Sequence, residues 1–314
     1  MPSIDDKLGL MRAVVDIGSN TIKVLVGQMR RSQLIEIGSK SIVARLAKGL
    51  KRGSPLPPDA LVRAEAAFVE ISNFLKAYKE IKSIDVLATA SLRKASNPEA
   101  VALLVEKYFK TPLTVISGEE EARLSAIGAK AALSIINESS DKAVFFDLGG
   151  ASTEISIEGE KKWAHSFEIG AVSSHDLLNF PSDQIDDPLW ESRKEKLDVF
   201  FQNTPLPEAI KNAENKTTAV AAGGTLLQMA SAMKCTMPHP GIFLSKLEDL
   251  TTFLEKVRRS SEEDRINQLH IEKGRADIFP AGVCVFEYLC QKLELNDLVI
   301  SSMGIRHGFL IDQD

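Results

Sequence analysis

Apolar and polar positions alternate most regularly in two stretches of the chain. In the first, Ala13-Val14-Val15 runs into Asp16, Ile17-Gly18-Ser19-Asn20 follows, and an alternating segment returns over residues 21–27. In the second, Ala143-Val144-Phe145-Phe146 runs into Asp147, Leu148-Gly149-Gly150-Ala151-Ser152 follows, and Thr153-Glu154-Ile155-Ser156-Ile157 returns. Each reads as strand, tight glycine turn and returning strand. A different period governs Leu61, Ala64, Phe68, Ile71, Leu75 and Tyr78, which fall at helical spacing behind Pro57 and Pro58 and predict a long amphipathic helix from Asp59. Strands are predicted over 34–38, 84–88 and 113–116, and Asn97-Pro98-Glu99 opens a helix as N-cap, first-position proline and first-turn acid. Ser117 and Glu120 are spaced as a capping box at the head of the next helix. Beyond the second hairpin the pattern predicts strands over 163–167, 217–222 and 298–301, and helices opening at Gly170 and over 189–201, 226–233 and 278–293. Strands alternating with helices make this an α/β chain.

The two hairpins lie about one domain length apart, and the 314 residues exceed the ~250–300 at which a single core stops growing. An internal repeat at that spacing predicts two related halves, each offering a hairpin to one shared cleft. The net charge of −5 leaves no basic surplus for a nucleic-acid binder that works by phosphate neutralisation. No run approaches the ~18 apolar residues of a membrane span. The three cysteines show no CxxC spacing, and the first eleven residues carry Asp5 and Asp6 without an apolar core, so a reducing cytoplasm is expected.

Gly turns let backbone N–H groups converge on phosphate oxygens, and nearby carboxylates suit Mg²⁺, which prefers oxygen ligands. One such hairpin is equally an ordinary β-hairpin that contains acids; two matched ones point to a phosphate site. Arg93 follows the strand over 84–88, at the edge where α/β sheets gather ligands; the alternatives are an anion ligand and a solvated surface charge. Of Glu119, Glu120 and Glu121, all in a first helical turn, any complements the helix dipole. Glu121 sits about 100° round the helix from Glu120 and can project into a cleft. Gly223-Gly224-Thr225 opens another helix, as an anion site or as a close-packed turn. The five histidines show no metal-ligand spacing.

With these motifs in place, the chain resembles the exopolyphosphatase and guanosine pentaphosphate phosphohydrolase (Ppx/GppA) family, within the actin, Hsp70 and sugar-kinase superfamily. The resemblance runs from Ala13 to Leu310 and rests on the ordered set Asp16–Thr21, Thr89–Arg93, Ser117–Leu124, Asp147–Glu154, Ala222–Thr225, Arg275-Ala276-Asp277 to Gly282, and Ser301–Gly308. It implies two ribonuclease-H-like lobes, residues 1–120 joined by 302–314 and residues 121–301, with the active site in the cleft between them. It implies Glu121 as the base that deprotonates a water attacking the terminal phosphorus, and Arg93 as a holder of substrate phosphate. Asp147 and Glu154, with Asp16, would surround Mg²⁺. Ser19, Asn20, Thr21, Gly149, Gly150, Ala151, Ser152, Gly223 and Gly224 would hold the phosphates. The expected activity is Mg²⁺-dependent release of terminal phosphate from polyphosphate, guanosine pentaphosphate or both; members often form homodimers. Two departures stand out: Ala151 replaces a glycine common in the family, and longer members append helical domains beyond the position of Asp314, which argues against processive action. A superfamily kinase or ATPase and a non-catalytic alarmone-binding regulator are the alternatives.

Overall fold

In strand β1 (Arg12–Ile17) the period of two decides the packing: Ala13, Val15 and Ile17 point to one face of a sheet and Val14 to the other, all buried. The computed structural model describes residues 9–31, 33–141, 143–157, 163–181, 183–203 and 218–313; Asp5, Asp6 and Thr217 lie outside them. The chain divides into two compact units, Met1–Gly128 with Ile305–Asp314, and Ala129–Gly304.

In the first unit, β1, β2 (Thr21–Arg30) and β3 (Gln33–Val43) form an antiparallel meander, and β4 (Ser83–Ala88) and β5 (Leu113–Val115) add in parallel, in the order β3-β2-β1-β4-β5. One face packs on helices α1 (Pro58–Leu75) and α3 (Pro98–Phe109), through Ala64, Phe68, Ile71, Val101 and Val105. Phe68 and Phe109 meet edge to face at 5.4 Å. Between these helices comes the short α2 (Ala90–Lys94), directly after β4. Asn97 does not cap α3 with its side chain; its Oδ1 instead accepts from the Leu56 N–H at 2.7 Å and anchors the loop before α1.

The other face gathers Val14, Leu25 and Leu87 with Leu124 of α4 (Gly118–Ile135) and with Ile305 and Leu310. Ile305 and Leu310 belong to the last helix of the chain, Ile305–Asp312. A Cβ at Gly308 would come within 1.8 Å of the Leu124 carbonyl, so this helix and α4 cross at a distance only glycine permits. Arg123 donates to both Asp312 oxygens at 2.8 and 2.7 Å, and Arg306 to the Val24 carbonyl at 3.0 Å. The division between units falls inside α4 rather than ahead of Glu121, because α4 is one continuous helix; Glu121 thereby joins Arg93 in the first unit.

The second unit repeats the plan. Strands β6 (Ala143–Leu148), β7 (Thr153–Ile157) and β8 (Trp163–Phe167) form the meander, and β9 (Thr218–Ala222) lies parallel to β6. The hairpin of β10 (Thr236–His239) and β11 (Ile242–Lys246), unmarked by any alternation in the sequence, extends the far edge beyond β12 (Asp297–Ser301). The order is β10-β11-β12-β9-β6-β7-β8. Among the described residues the helices are α5 (Ala171–Leu178), α6 (Asp187–Asn203), α7 (Gly224–Ala232), α8 (Leu247–Arg258), α9 (Glu262–Asn267) and α10 (Phe279–Lys292), and the last helix of the chain is labelled α11. Helix α10 is buried on every side from Phe279 to Cys290, and Gly282 lets it approach Ala171 and Thr225. Burial pushes the Cys284 and Cys290 thiols well above their ordinary range, so both pack as small apolar side chains.

Helix α11 also carries His307, which is 3% exposed with Nε2 3.2 Å from Glu36 Oε2 on β3. Burial pushes the His307 pKa below its usual 6.5 despite the Glu36 carboxylate, and the hydrogen bond from His307 holds Glu36 down at about 2 rather than 4.5. The unfolded chain therefore takes up protons at both groups before the folded one does. Their contribution to stability is complete above pH 6.5 and is lost as pH falls through each folded pKa. Urea unfolding should show the wild type losing more stability than His307→Gln between about pH 7 and about pH 5. Parallel curves would remove this pair as a source of acid sensitivity.

Candidate active site

Both glycine turns close in the same way. Gly18 N–H donates to the Thr21 carbonyl at 3.1 Å, and Gly149 N–H to the Ser152 carbonyl at 3.0 Å. A Cβ on Gly18 or Gly149 would meet those same carbonyls at 2.9 and 3.1 Å, so close approach, and not left-handed backbone, is what glycine supplies here. Ala151 likewise stays outside the left-handed region, and the replacement of a glycine by alanine carries no strain of that kind.

What lies behind each turn matters more. In the first, the Ser19 carbonyl accepts from Ala47 N–H at 2.9 Å, and the Asn20 carbonyl from Ala44 and Arg45 at 3.0 and 2.8 Å. In the second, the Gly149 carbonyl accepts from Ala171 N–H at 3.0 Å, and the Gly150 carbonyl from Val172 and Ser173 at 2.7 and 3.1 Å. The carbonyls are thus tied back, in one turn by the segment after β3 and in the other by the N-terminal N–H groups of α5. The N–H groups of Ser19, Asn20, Gly150 and Ser152 find no intramolecular acceptor among the described residues. Successive N–H groups left over in a turn make an anion-binding concavity. Arg45 takes left-handed backbone (φ 50°) to place its N–H, a local strain sited where the first turn is held. Asn20 is 5% exposed, and its Nδ2 has no partner among the described residues.

The carboxylates divide between the units. Asp16, 6% exposed, pairs across β1 and β2 with Lys23; Asp147 pairs across β6 and β7 with Glu154, which is 2% exposed and accepts from Ser166 Oγ at 2.6 Å. Asp147 and Glu154 are thus neighbours in the second unit, while Asp16 belongs to the first. Among the described residues no three His, Cys, Asp or Glu side chains come together as a group that could hold a metal ion. Two hard oxygen donors side by side fit Mg²⁺, which keeps waters and takes phosphate oxygens as further ligands.

In the first unit, Arg93 lies one turn into α2 and Glu121 one turn into α4. Arg93 Nη1 donates to Glu121 Oε2 at 2.7 Å and to the Ile116 carbonyl at 3.0 Å. The other guanidinium nitrogens have no acceptor among the described residues. Glu121 is 7% exposed, whereas Glu120, turned outward, takes both of its hydrogen bonds from Arg123 at 2.8 and 2.9 Å. Ser117 Oγ accepts from Glu120 N–H at 3.1 Å, which is half of the expected capping box; the Glu120 carboxylate is drawn to Arg123 instead of back to Ser117.

The third glycine turn differs. Gly223 has φ 128°, where a Cβ would sit 2.3 Å from the Leu148 carbonyl, and Gly224 lies under the Arg275 guanidinium, 2.6 to 2.7 Å from where its Cβ would be. Burial lowers the Arg275 pKa from the usual guanidinium value, countered by Glu272, whose Oε2 accepts from Nε at 3.1 Å. Arg275 lies in one of the motif segments that carry the family resemblance, which assigns it no role. Its signal is a lone Arg just ahead of the apolar run of α10.

The Ppx/GppA phosphatase family matches residues 26–313. Among solved structures, the chain is similar to the Aquifex aeolicus PPX-GPPA enzyme, at 21% identity over 98% of this chain and 100% of that one, with a TM-score of 0.76. It is also similar to an exopolyphosphatase from Cytophaga hutchinsonii, at 20% identity over 96% and 98%, with a TM-score of 0.82. These likenesses show the fold.

Gly223→Ala should destabilise the second unit by at least ~1–3 kcal/mol in urea unfolding, since strained backbone and a clash with Leu148 act together. A change within ~0.5 kcal/mol would show that the turn relaxes freely.

Proposed function

The chain belongs to the Ppx/GppA phosphatase family, and from that premise we propose that it releases terminal phosphate from inorganic polyphosphate or guanosine pentaphosphate by attack of water on the terminal phosphorus. The observation that carries this reading is the pair of turns whose carbonyls are tied back, leaving N–H groups for phosphate oxygens. The exopolyphosphatase named among the similar structures agrees with the substrate class.

In this mechanism the N–H groups of Ser19, Asn20, Gly150 and Ser152 hold the terminal phosphoryl group, with the Thr21 hydroxyl and the Ala151 backbone completing the turns. Arg93 fixes Glu121 through Nη1 and offers its remaining nitrogens to a phosphate oxygen. Water adds to phosphorus as the bridging P–O bond breaks; its proton passes to the Glu121 carboxylate, and the electron pair leaves with the shortened phosphate chain. Asp147 and Glu154, with Asp16 as a further oxygen donor, are the residues that would hold Mg²⁺, which supplies charge neutralisation to the phosphate oxygens. Gly223, Gly224 and the overlying Arg275 add positive potential at the start of α7. Catalysis is then positioning and electrostatics.

Phosphate release measured in parallel on short polyphosphate, long polyphosphate, guanosine pentaphosphate and ATP tests the reading; release from none of them with Mg²⁺ present would overturn it. Glu121→Gln keeps the shape and removes the base, so release should fall by at least ~100-fold with substrate binding and melting temperature little changed. Glu120→Gln is the control, since its carboxylate serves only Arg123. Near wild-type turnover by Glu121→Gln would unseat the base. Asp147→Asn should abolish activity with the fold intact and be partly rescued by excess Mg²⁺. Full activity at low Mg²⁺ would remove Asp147 from the site.

A further inference from the structure

At the opposite end of the first unit's sheet lies a cavity of about 550 Å³, within the range of small-molecule sites. It opens where β4 begins, at Ser83 and Ile84, whereas Asp16 and Arg93 sit at and beyond the other ends of β1 and β4. Six residues of strand at ~3.3 Å each separate the two places, so this cavity is no part of the site described above.

Its lining mixes the apolar Leu75, Ile81, Ile84 and Phe109 with the rings of Tyr78 and Tyr108. Its charged groups are all of one sign: Lys76 at the end of α1, Lys82 on the approach to β4 and Lys110 at the end of α3, with no carboxylate in the lining. Of the nearby acids, Glu80 and Glu106 are exposed and outside the lining, and two are paired elsewhere. Glu65 binds Lys107 and the Tyr108 hydroxyl at 2.7 and 2.8 Å, and Asp85 pairs with Arg12 at 3.2 Å. Lys76 Nζ meets only the neutral Asn73, and Lys82 and Lys110 have no ion-pair partner among the described residues.

Lysines at helix C-termini ordinarily complement the dipole, which accounts for Lys76 and Lys110 taken singly. It does not account for Lys82, which lies outside both helices, nor for three ammonium groups from three chain segments around one cavity in an acidic protein. Three ammonium groups around one cavity are best neutralised by an anion that carries several charges and several acceptor oxygens. We infer that this cavity is a second ligand site, taking a multiply charged phosphate anion whose oxygens bridge Lys76, Lys82 and Lys110. The tyrosine side chains accept a ring where the anion carries one. The site is independent of the proposed activity, since none of its residues serves the phosphate turns.

Lysine acetylation read residue by residue by mass spectrometry tests it directly. The probes are methylene-bridged analogues of tripolyphosphate and of ATP, which resist hydrolysis. Lys76, Lys82 and Lys110 should be protected, and Lys79, exposed on the same stretch but outside the lining, should not. Protection by both probes assigns recognition to the phosphate oxygens alone; protection by the ATP analogue only adds the ring. Lys82→Gln with Lys110→Gln should weaken protection of Lys76 by at least roughly tenfold in probe concentration, as lost charge-assisted hydrogen bonds require, with phosphate release and melting temperature unchanged. Equal acetylation with and without either probe would overturn the proposal, as would a lowered melting temperature with protection of Lys76 intact.

Discussion

A turn can bind an anion only if its own carbonyls are kept out of the way, and in both glycine turns of this structure they are held back by hydrogen bonds. A carbonyl pointing the same way as the N–H groups would repel phosphate, and an untied turn is free to flip. Here the Ala44–Ala47 segment holds the carbonyls of Ser19 and Asn20, and the start of α5 holds those of Gly149 and Gly150. The second arrangement meets two demands at once, because α5 needs acceptors for its own first N–H groups. Gly170 makes this contact possible: a Cβ there would lie 2.7 Å from the carbonyls of both Gly149 and Ser152.

The two units share a plan and differ at the carboxylates. Where the first hairpin sets Lys23 opposite Asp16, the second sets Glu154 opposite Asp147. A cation beside a carboxylate lowers the local negative charge; two carboxylates together invite a divalent cation. The same strand positions thus carry different chemistry, and the ion pair of Arg93 with Glu121 has its place in the first unit. The two units thus share the turn geometry and differ in the side chains set beside it.

Much of this was legible in the sequence because strands and glycine turns write themselves in short range. The hairpins at Asp16 and Asp147, the long helix after Pro58 and the buried helix after Ile278 follow from period and punctuation alone. The burial of Glu121 against Arg93, with Glu120 turned to Arg123, follows the 100° step between neighbouring helix positions. What could not be read depends on distant contacts. Asn97 leaves its helix cap for Leu56, Arg275 lies over Gly224, and Gly308 meets Leu124, each joining residues whose separation in the chain hides the pairing. The β10–β11 hairpin leaves no mark in the sequence because its strands are short, and β10, wholly exposed, has no buried face to impose alternation.

The central claim is that the leftover N–H groups of the two turns are the phosphate ligands. Amide proton and nitrogen shifts of Ser19, Asn20, Gly150 and Ser152, followed while pyrophosphate is titrated in, test it most directly. The account predicts that these four resonances move together and downfield, with those of Gly18 and Gly149, already bonded within their turns, moving far less. Binding of pyrophosphate with these amides unmoved would contradict it.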